Sequence, residues 1–198
     1  MTIAIYLAHL NPLTNAHKEI ISDLIKNDDV VVMPVRFLVQ EKEINSKSFP
    51  FTFEIRKKML ESVFEDKITI STNYTFHAPF KKYFPPLVSK DSWKLKNQIL
   101  DEIEDDYYTY TGDKAEGLML KLYRLNPKIG ERKQISATSV KNEMYKDALN
   151  KNGEWRDLVP ESVSKIIDEN WNIVKQFASS EDKTMRVLGM KFPREGYN

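Results

Sequence analysis

The sequence predicts an α/β fold, a doubly wound parallel sheet of about five strands with helices on both faces and a helical C-terminal extension. Three observations predict it. The run Ile3–Ala8 is nearly all apolar, as a strand covered on both faces must be. After a turn at Asn11-Pro12, Ile20, Ile21, Leu24 and Ile25 recur at helical spacing, and the β-branched run from Val30 to Val35 then completes a strand–helix–strand unit. Strand-like and helix-like segments keep alternating downstream, without internal repeats or low-complexity tracts.

Each further element has its own signal. In the first helix Lys18, Glu19, Asp23 and Lys26 fall off the apolar stripe. Residues 40–50 are polar and aperiodic, which predicts a loop at the edge of the sheet where ligands bind. A helix capped near Thr52 carries Phe53, Met59, Leu60 and Val63, and Lys67 to Ser71 alternates as a third strand. Residues 73–89 are rich in aromatics and prolines and have no period to assign. Trp93, Leu95, Ile99, Leu100 and Ile103 mark a helix, Tyr107 to Thr111 a fourth strand ending at Gly112-Asp113, and Lys114 to Leu125 another helix. Asn126 to Lys133 reads as a basic loop. Ser139 to Leu149 is helical with Val140, Met144 and Ala148 inward, and Pro160 suits the first turn of a last helix through Val163, Ile166, Ile167, Trp171 and Val174. This layering is Rossmann-like over residues 1–178. Residues 179–198 lack periodicity and read as a tail.

Bulk properties narrow the function. The 198 residues suit one domain, and 30 basic against 29 acidic residues leave a net charge of +1, so no global field exists to hold nucleic acid or an anionic membrane. No cysteine is present, which excludes disulfides and cysteine-based zinc sites and suits a reducing compartment. No apolar stretch approaches the ~20 residues that span a bilayer, and Met1 to Ala8 lacks a basic flank and a cleavage site, so a cytoplasmic protein is expected. Only His9, His17 and His77 could offer imidazole, too few for a histidine metal cage; a metal would arrive as Mg²⁺ with a triphosphate.

Two segments combine helix starts with phosphate-binding side chains. Leu10-Asn11-Pro12-Leu13-Thr14-Asn15-Ala16-His17 lies where the first strand ends and the first helix begins. There unpaired N–H groups and the positive end of the helix dipole favour phosphate, and His17 and Thr14 add donors. Ile135-Ser136-Ala137-Thr138-Ser139-Val140-Lys141 is again a loop running into a helix, with clustered hydroxyls and a lysine. Ser or Thr at a helix start also serves simply as a cap, and a histidine there also simply packs. The pair together is what clamping one triphosphate from two sides requires.

These segments resemble the two signatures of the nucleotidyltransferase superfamily, [HT]-x-G-H and I-S-x-T-x-x-[RK]. The second is matched throughout. In the first, Ala16 stands for the usual glycine, Ala8 for the strand-end glycine and Leu10 for the usual aromatic. The resemblance implies that His17, with Thr14, stabilises the reacting phosphates, and that Ser136, Thr138, Ser139 and Lys141 hold the β- and γ-phosphates. It also puts the base near Ile135, with Leu10 and Asn11 in the nucleotide site.

Further segments resemble the archaeal nicotinamide mononucleotide adenylyltransferases. They are Gln40-Glu41-Lys42, Phe51-Thr52-Phe53-Glu54-Ile55-Arg56, Asp91-Ser92-Trp93, Thr111-Gly112-Asp113 and Trp155 to Val163. On that resemblance Gln40, Lys42, Arg56, Trp93 and Asp113 would touch the acceptor, with Trp93 stacking on its ring. Trp93 on a helix is equally a core residue, and Arg56 equally an ion-pair partner. The expected activity is AMP transfer from ATP to nicotinamide mononucleotide or a similar phosphate-bearing acceptor, with Mg²⁺ and release of pyrophosphate. Two alternatives stand beside it. Arg132 shortly before Ile135 resembles the cytidylyltransferase arrangement, which uses CTP, and the missing glycines suit a nucleotide sensor without turnover. The sequence leaves a homo-oligomer open.

Overall fold

In β1 (Ile3–Ala8) successive side chains enter opposite cores: Ala4 and Tyr6 one, Ile5 and Leu7 the other, all four at most 5% exposed. A strand buried on both faces belongs at the centre of a parallel sheet. The computed structural model describes residues 2–198 apart from Leu87, Asp113, Arg132 and Gln134. The expectations for Arg132 and Asp113 therefore lie outside the described residues.

After β1 come α1 (Asn15–Ile25), β2 (Asp29–Pro34), β3 (Arg36–Val39), β4 (Lys42–Glu43), α2 (Phe53–Phe64), β5 (Thr69–Ile70) and β6 (Thr75–His77). Then follow α3 (Lys90–Ile99), β7 (Tyr107–Thr111), α4 (Lys114–Leu122), β8 (Pro127–Ile129), α5 (Ala137–Ala148), α6 (Glu161–Glu169), α7 (Trp171–Ala178), β9 (Thr184–Val187) and β10 (Met190–Pro193). The main sheet has five parallel strands in the order β5-β2-β1-β7-β8. One face is covered by α1, α2, α5, α6 and α7 through Ile20, Leu60, Val140, Val163 and Val174. The other is covered by α3 and α4 through Leu95, Ile99, Met119 and Leu120. The doubly wound layering expected from the sequence is thus present. Among the described residues no helix is long and apolar enough to cross a membrane.

Four segments differ from the sequence reading. Within 40–50 the chain makes β4, which pairs antiparallel with β3, while β3 pairs in parallel with β6. The aromatic stretch is core: Tyr74, Phe76, Phe80 and Tyr83 are each at most 5% exposed, and their rings pack in several directions, which erases any period. Pro127–Ile129 in the basic loop is an edge strand too short to show alternation. The last helix breaks into α6 and α7 at Asn170, whose side-chain amide donates to Ile166 O at 2.8 Å and competes with the helical ladder.

Residues 179–198 require a correction as well. Instead of a tail throughout, residues 184–193 within them form the antiparallel ribbon β9–β10, turned at Leu188-Gly189 with φ values of 49° and 86°. Those positive values match the turn a two-residue hairpin favours. Phe192 is fully buried against Phe37 and Phe76, at ring distances of 5.3 and 5.2 Å.

Candidate active site

The site grows from the carboxyl end of β1. There the chain turns through Leu10, fully buried at φ 49°, a left-handed conformation that costs a non-glycine residue ~1 kcal/mol and recurs at functional loops. Asn11 holds the turn in place. Its Nδ2 donates to Phe51 O at 2.8 Å and its Oδ1 accepts from Phe51 N at 3.1 Å, so its amide is engaged with the loop before α2.

Thr14 then caps α1, and its partner in the cap is His17. The Thr14 N–H donates to His17 Nδ1 at 3.1 Å, and the His17 N–H donates to Thr14 Oγ1 at 3.4 Å. Because Nδ1 accepts from a backbone N–H, the ring proton of the neutral imidazole sits on Nε2. Burial, and then the positive charge of Lys141, lower the His17 pKa to about 4, so at neutral pH the ring is an uncharged donor.

The second motif repeats this construction. Ser136 caps α5 and Ser139 closes the box: Ser139 N donates to Ser136 Oγ at 3.1 Å and Ser136 N to Ser139 Oγ at 3.3 Å. In each helix the box satisfies the third N–H. The N–H groups of Asn15 and Ala16, and those of Ala137 and Thr138, take no acceptor among the described residues.

Lys141 joins the two motifs. Its Nζ donates to Asn11 O at 2.7 Å and to Ala137 O at 3.1 Å, and the residue is 7% exposed. Burial, with the charge of Lys191 adding to it, lowers its pKa to about 7. Lys133 pairs with Glu19 on α1 and ties the same two segments again. Between them opens a cleft of about 280 Å³, lined by His9, Leu10, Ala16 and His17 from the first motif and by Ile135, Ser136 and Ala137 from the second. Thr111, Gly112 and Glu116 close it from β7 and α4, with Thr111 Oγ1 donating to Glu116 Oε2 at 2.6 Å.

The structure thus brings Leu10, His17, Ile135 and Ser136 to one cleft, with Thr14 and Ser139 holding its two caps. Thr138 is exposed in the first turn of α5. Lys141 stands behind the cleft wall and is turned to two carbonyls. Among the described residues, the expected acceptor contacts Gln40, Lys42, Arg56 and Trp93 do not line the cleft. Gln40 and Lys42 are exposed at the β3–β4 turn. Trp93 on α3 is 37% exposed, with Lys96 and Arg124 each 5.6 Å from its ring centre. Arg56 is a buried brace. Its guanidinium pairs with Glu43 at 2.9 Å and donates to the carbonyls of His9 and Val35 at 2.8 and 2.9 Å.

Sequence reasoning passed over His9, Glu116 and Lys133, which line the same cleft. His9 stacks on Phe49 at 4.7 Å, and its buried Nδ1 has no partner among the described residues. Only its position at the end of the first strand could have drawn attention to it.

No protein-family model matches the chain, and no curated protein matches it. Solved structures do. A bifunctional NMN adenylyltransferase/ADP ribose pyrophosphatase from Francisella tularensis superposes with a TM-score of 0.63 at 14% identity over 90% of this chain and 52% of that one. The same bifunctional protein complexed with AMP and a manganese ion gives a TM-score of 0.58 at 14% identity, covering 88% and 52%. A Vibrio parahaemolyticus protein assigned as a nicotinate-nucleotide adenylyltransferase gives 0.57 at 14% identity, covering 88% of this chain and 96% of that one. The chain therefore spans about half the length of the bifunctional protein and nearly all of the Vibrio one. At this identity the likeness is one of architecture: the chain has the fold of these mononucleotide adenylyltransferases.

Proposed function

We propose that this protein is a nucleotidyltransferase that moves AMP from ATP to a phosphate-bearing acceptor of the nicotinamide or nicotinate mononucleotide kind. The observation that carries this reading is the pair of capped helix tips on one cleft, each with two unpaired N–H groups and joined by Lys141. Four N–H groups and two helix dipoles favour a polyanion over a neutral ligand.

In the reaction an acceptor phosphate oxygen attacks the α-phosphorus of the triphosphate. The bond from that phosphorus to the oxygen bridging to the β-phosphate breaks, and pyrophosphate leaves. The acceptor oxygen is already nucleophilic, so positioning and charge stabilisation carry the rate. Nε2–H of His17 donates to the phosphoryl oxygen as charge grows on it. The fixed tautomer means no reorganisation is needed at that moment. The N–H groups of Ala137 and Thr138, with the positive charge of Lys141 behind them, hold the leaving phosphates. A divalent ion brought in with the triphosphate would neutralise part of its charge.

One observation favours a second reading, a nucleotide-binding protein without turnover. The Lys141 ammonium is engaged with the carbonyls of Asn11 and Ala137 and does not line the cleft. A pyrophosphate-release assay over ATP and CTP, each with nicotinamide mononucleotide, nicotinate mononucleotide and other phosphate monoesters, separates the readings. Release with ATP and a mononucleotide is the expected result. Release with CTP alone would move the assignment to cytidylyl transfer, and tight triphosphate binding with no release for any pair would favour the sensor.

A further inference from the structure

The ribbon β9–β10 pairs Met190 with Val187, Lys191 with Arg186 and Phe192 with Met185. Directly opposed residues share a face and successive ones alternate, so Met185, Val187, Met190 and Phe192 form one face and Arg186 and Lys191 the other. The first face is anchored in the aromatic core around Phe37. The second sets two like charges directly opposite each other, which weakens a ladder unless an anion joins them. Lys191 is partly compensated: its Nζ donates to Ser48 Oγ at 2.9 Å and lies 3.6 Å from Asp182 Oδ2. Arg186 donates to Gly189 O at 3.0 Å and pairs with no carboxylate among the described residues.

Neither Arg186 nor Lys191 lines the cleft itself, and a short chain of contacts connects them to it. Ser48 adjoins Phe49, whose ring stacks on His9, and His9 lines the cleft at the end of β1. Burial and then four positive charges, those of Lys141, Arg56, Lys191 and Arg186, push the His9 pKa down to about 3. Lys141 and Arg56 are already bonded to backbone carbonyls. The ribbon cations are the ones with capacity left. Nδ1 of His9 and Oγ of Ser46 are buried here with no partner among the described residues.

Resting on the nucleotidyl-transfer reading, we propose that the C-terminal ribbon belongs to the acceptor site, with Arg186 and Lys191 holding the acceptor's phosphate across His9 from the helix tips. A phosphate dianion has oxygens enough to take a guanidinium and an ammonium at once, and it relieves the repulsion between them. The ribbon thereby selects phosphorylated over dephosphorylated acceptors.

The test uses the full chain with Arg186→Gln, Lys191→Gln and the double variant. In steady-state pyrophosphate release with ATP and nicotinamide mononucleotide, the acceptor KM should rise roughly 10- to 100-fold in the double variant. The calorimetric Kd for ATP should stay within about twofold of wild type, because the helix tips are untouched. Arg186→Lys should keep most of the acceptor affinity, which a merely structural role for the side chain does not predict. Arg186 is exposed, so its single variant remains informative if the double variant folds poorly. An unchanged acceptor KM overturns the proposal, and so does a weakened ATP Kd in its place, which would assign the pair to the triphosphate tail. If wild type releases no pyrophosphate with any acceptor, the transfer reading fails on its own. The ribbon is then judged by direct calorimetry with nicotinamide mononucleotide: binding that the double variant loses supports it, and equal or absent binding rejects it.

Discussion

Replacing Lys141 by methionine removes a charged side chain that bonds across both motifs while keeping most of its stem. The drop of its pKa from 10.5 to about 7 on folding corresponds to a cost of ~5 kcal/mol for keeping the ammonium charged, at ~1.4 kcal/mol per pH unit. Removing the ammonium relieves that cost but leaves the carbonyls of Asn11 and Ala137 without their donor, at ~1–3 kcal/mol each. The two effects largely offset at neutral pH, so Lys141→Met should change stability by no more than ~2 kcal/mol there. Its pH dependence is the sharper signature. Unfolded Lys141 keeps its proton up to 10.5 and the folded residue releases it near 7, so between those values the unfolded chain holds more protons. Wild-type stability relative to the variant should climb with pH by up to ~1.4 kcal/mol per unit, complete above the unfolded pKa and lost as pH falls through the folded one. Urea denaturation of both proteins at about pH 7, 8 and 9 measures it. A stability difference that stays flat over that range would refute the buried, pKa-lowered ammonium.

Arg56→Leu leaves Glu43 with the Phe53 N–H but no countercharge and removes the guanidinium donor from the carbonyls of His9 and Val35, and should cost ~3–5 kcal/mol in urea denaturation, part of it recovered by adding Glu43→Gln. His17→Ala should lower turnover roughly 10²- to 10³-fold in pyrophosphate release while the protein stays folded. Because His17 is neutral down to about pH 4, wild-type turnover should show no inflection from this residue at neutral pH. A turnover unchanged in folded His17→Ala would remove the residue from the chemistry.

What the sequence disclosed was what local chemistry decides. The apolar run of β1, the stripe of α1 and the caps at Thr14, Thr52 and Ser136 each depend on residues within a few positions of one another. Capping at Thr14 and Ser136 leaves room for the proposed phosphate binding: the side chain satisfies the third N–H and leaves the first two for a ligand. The roles that stayed hidden are set by distant partners. Asn11 finds Phe51, Arg56 finds Glu43 and the end of β1, and Lys141 reaches back 130 positions to Asn11. No spacing rule announces such pairs. The ribbon was missed for a different reason, since its alternation and its Leu-Gly turn were present in the sequence but occupied only a few residues on each side.

In the proposed reaction two helix tips grip one polyphosphate. An NMR titration with magnesium-ATP tests it most directly, following the backbone amides of Asn15 and Ala16 on α1 and of Ala137 and Thr138 on α5. All four should shift together and fit a single dissociation constant. Movement of one pair while the other stays still, or two unrelated affinities, would contradict it.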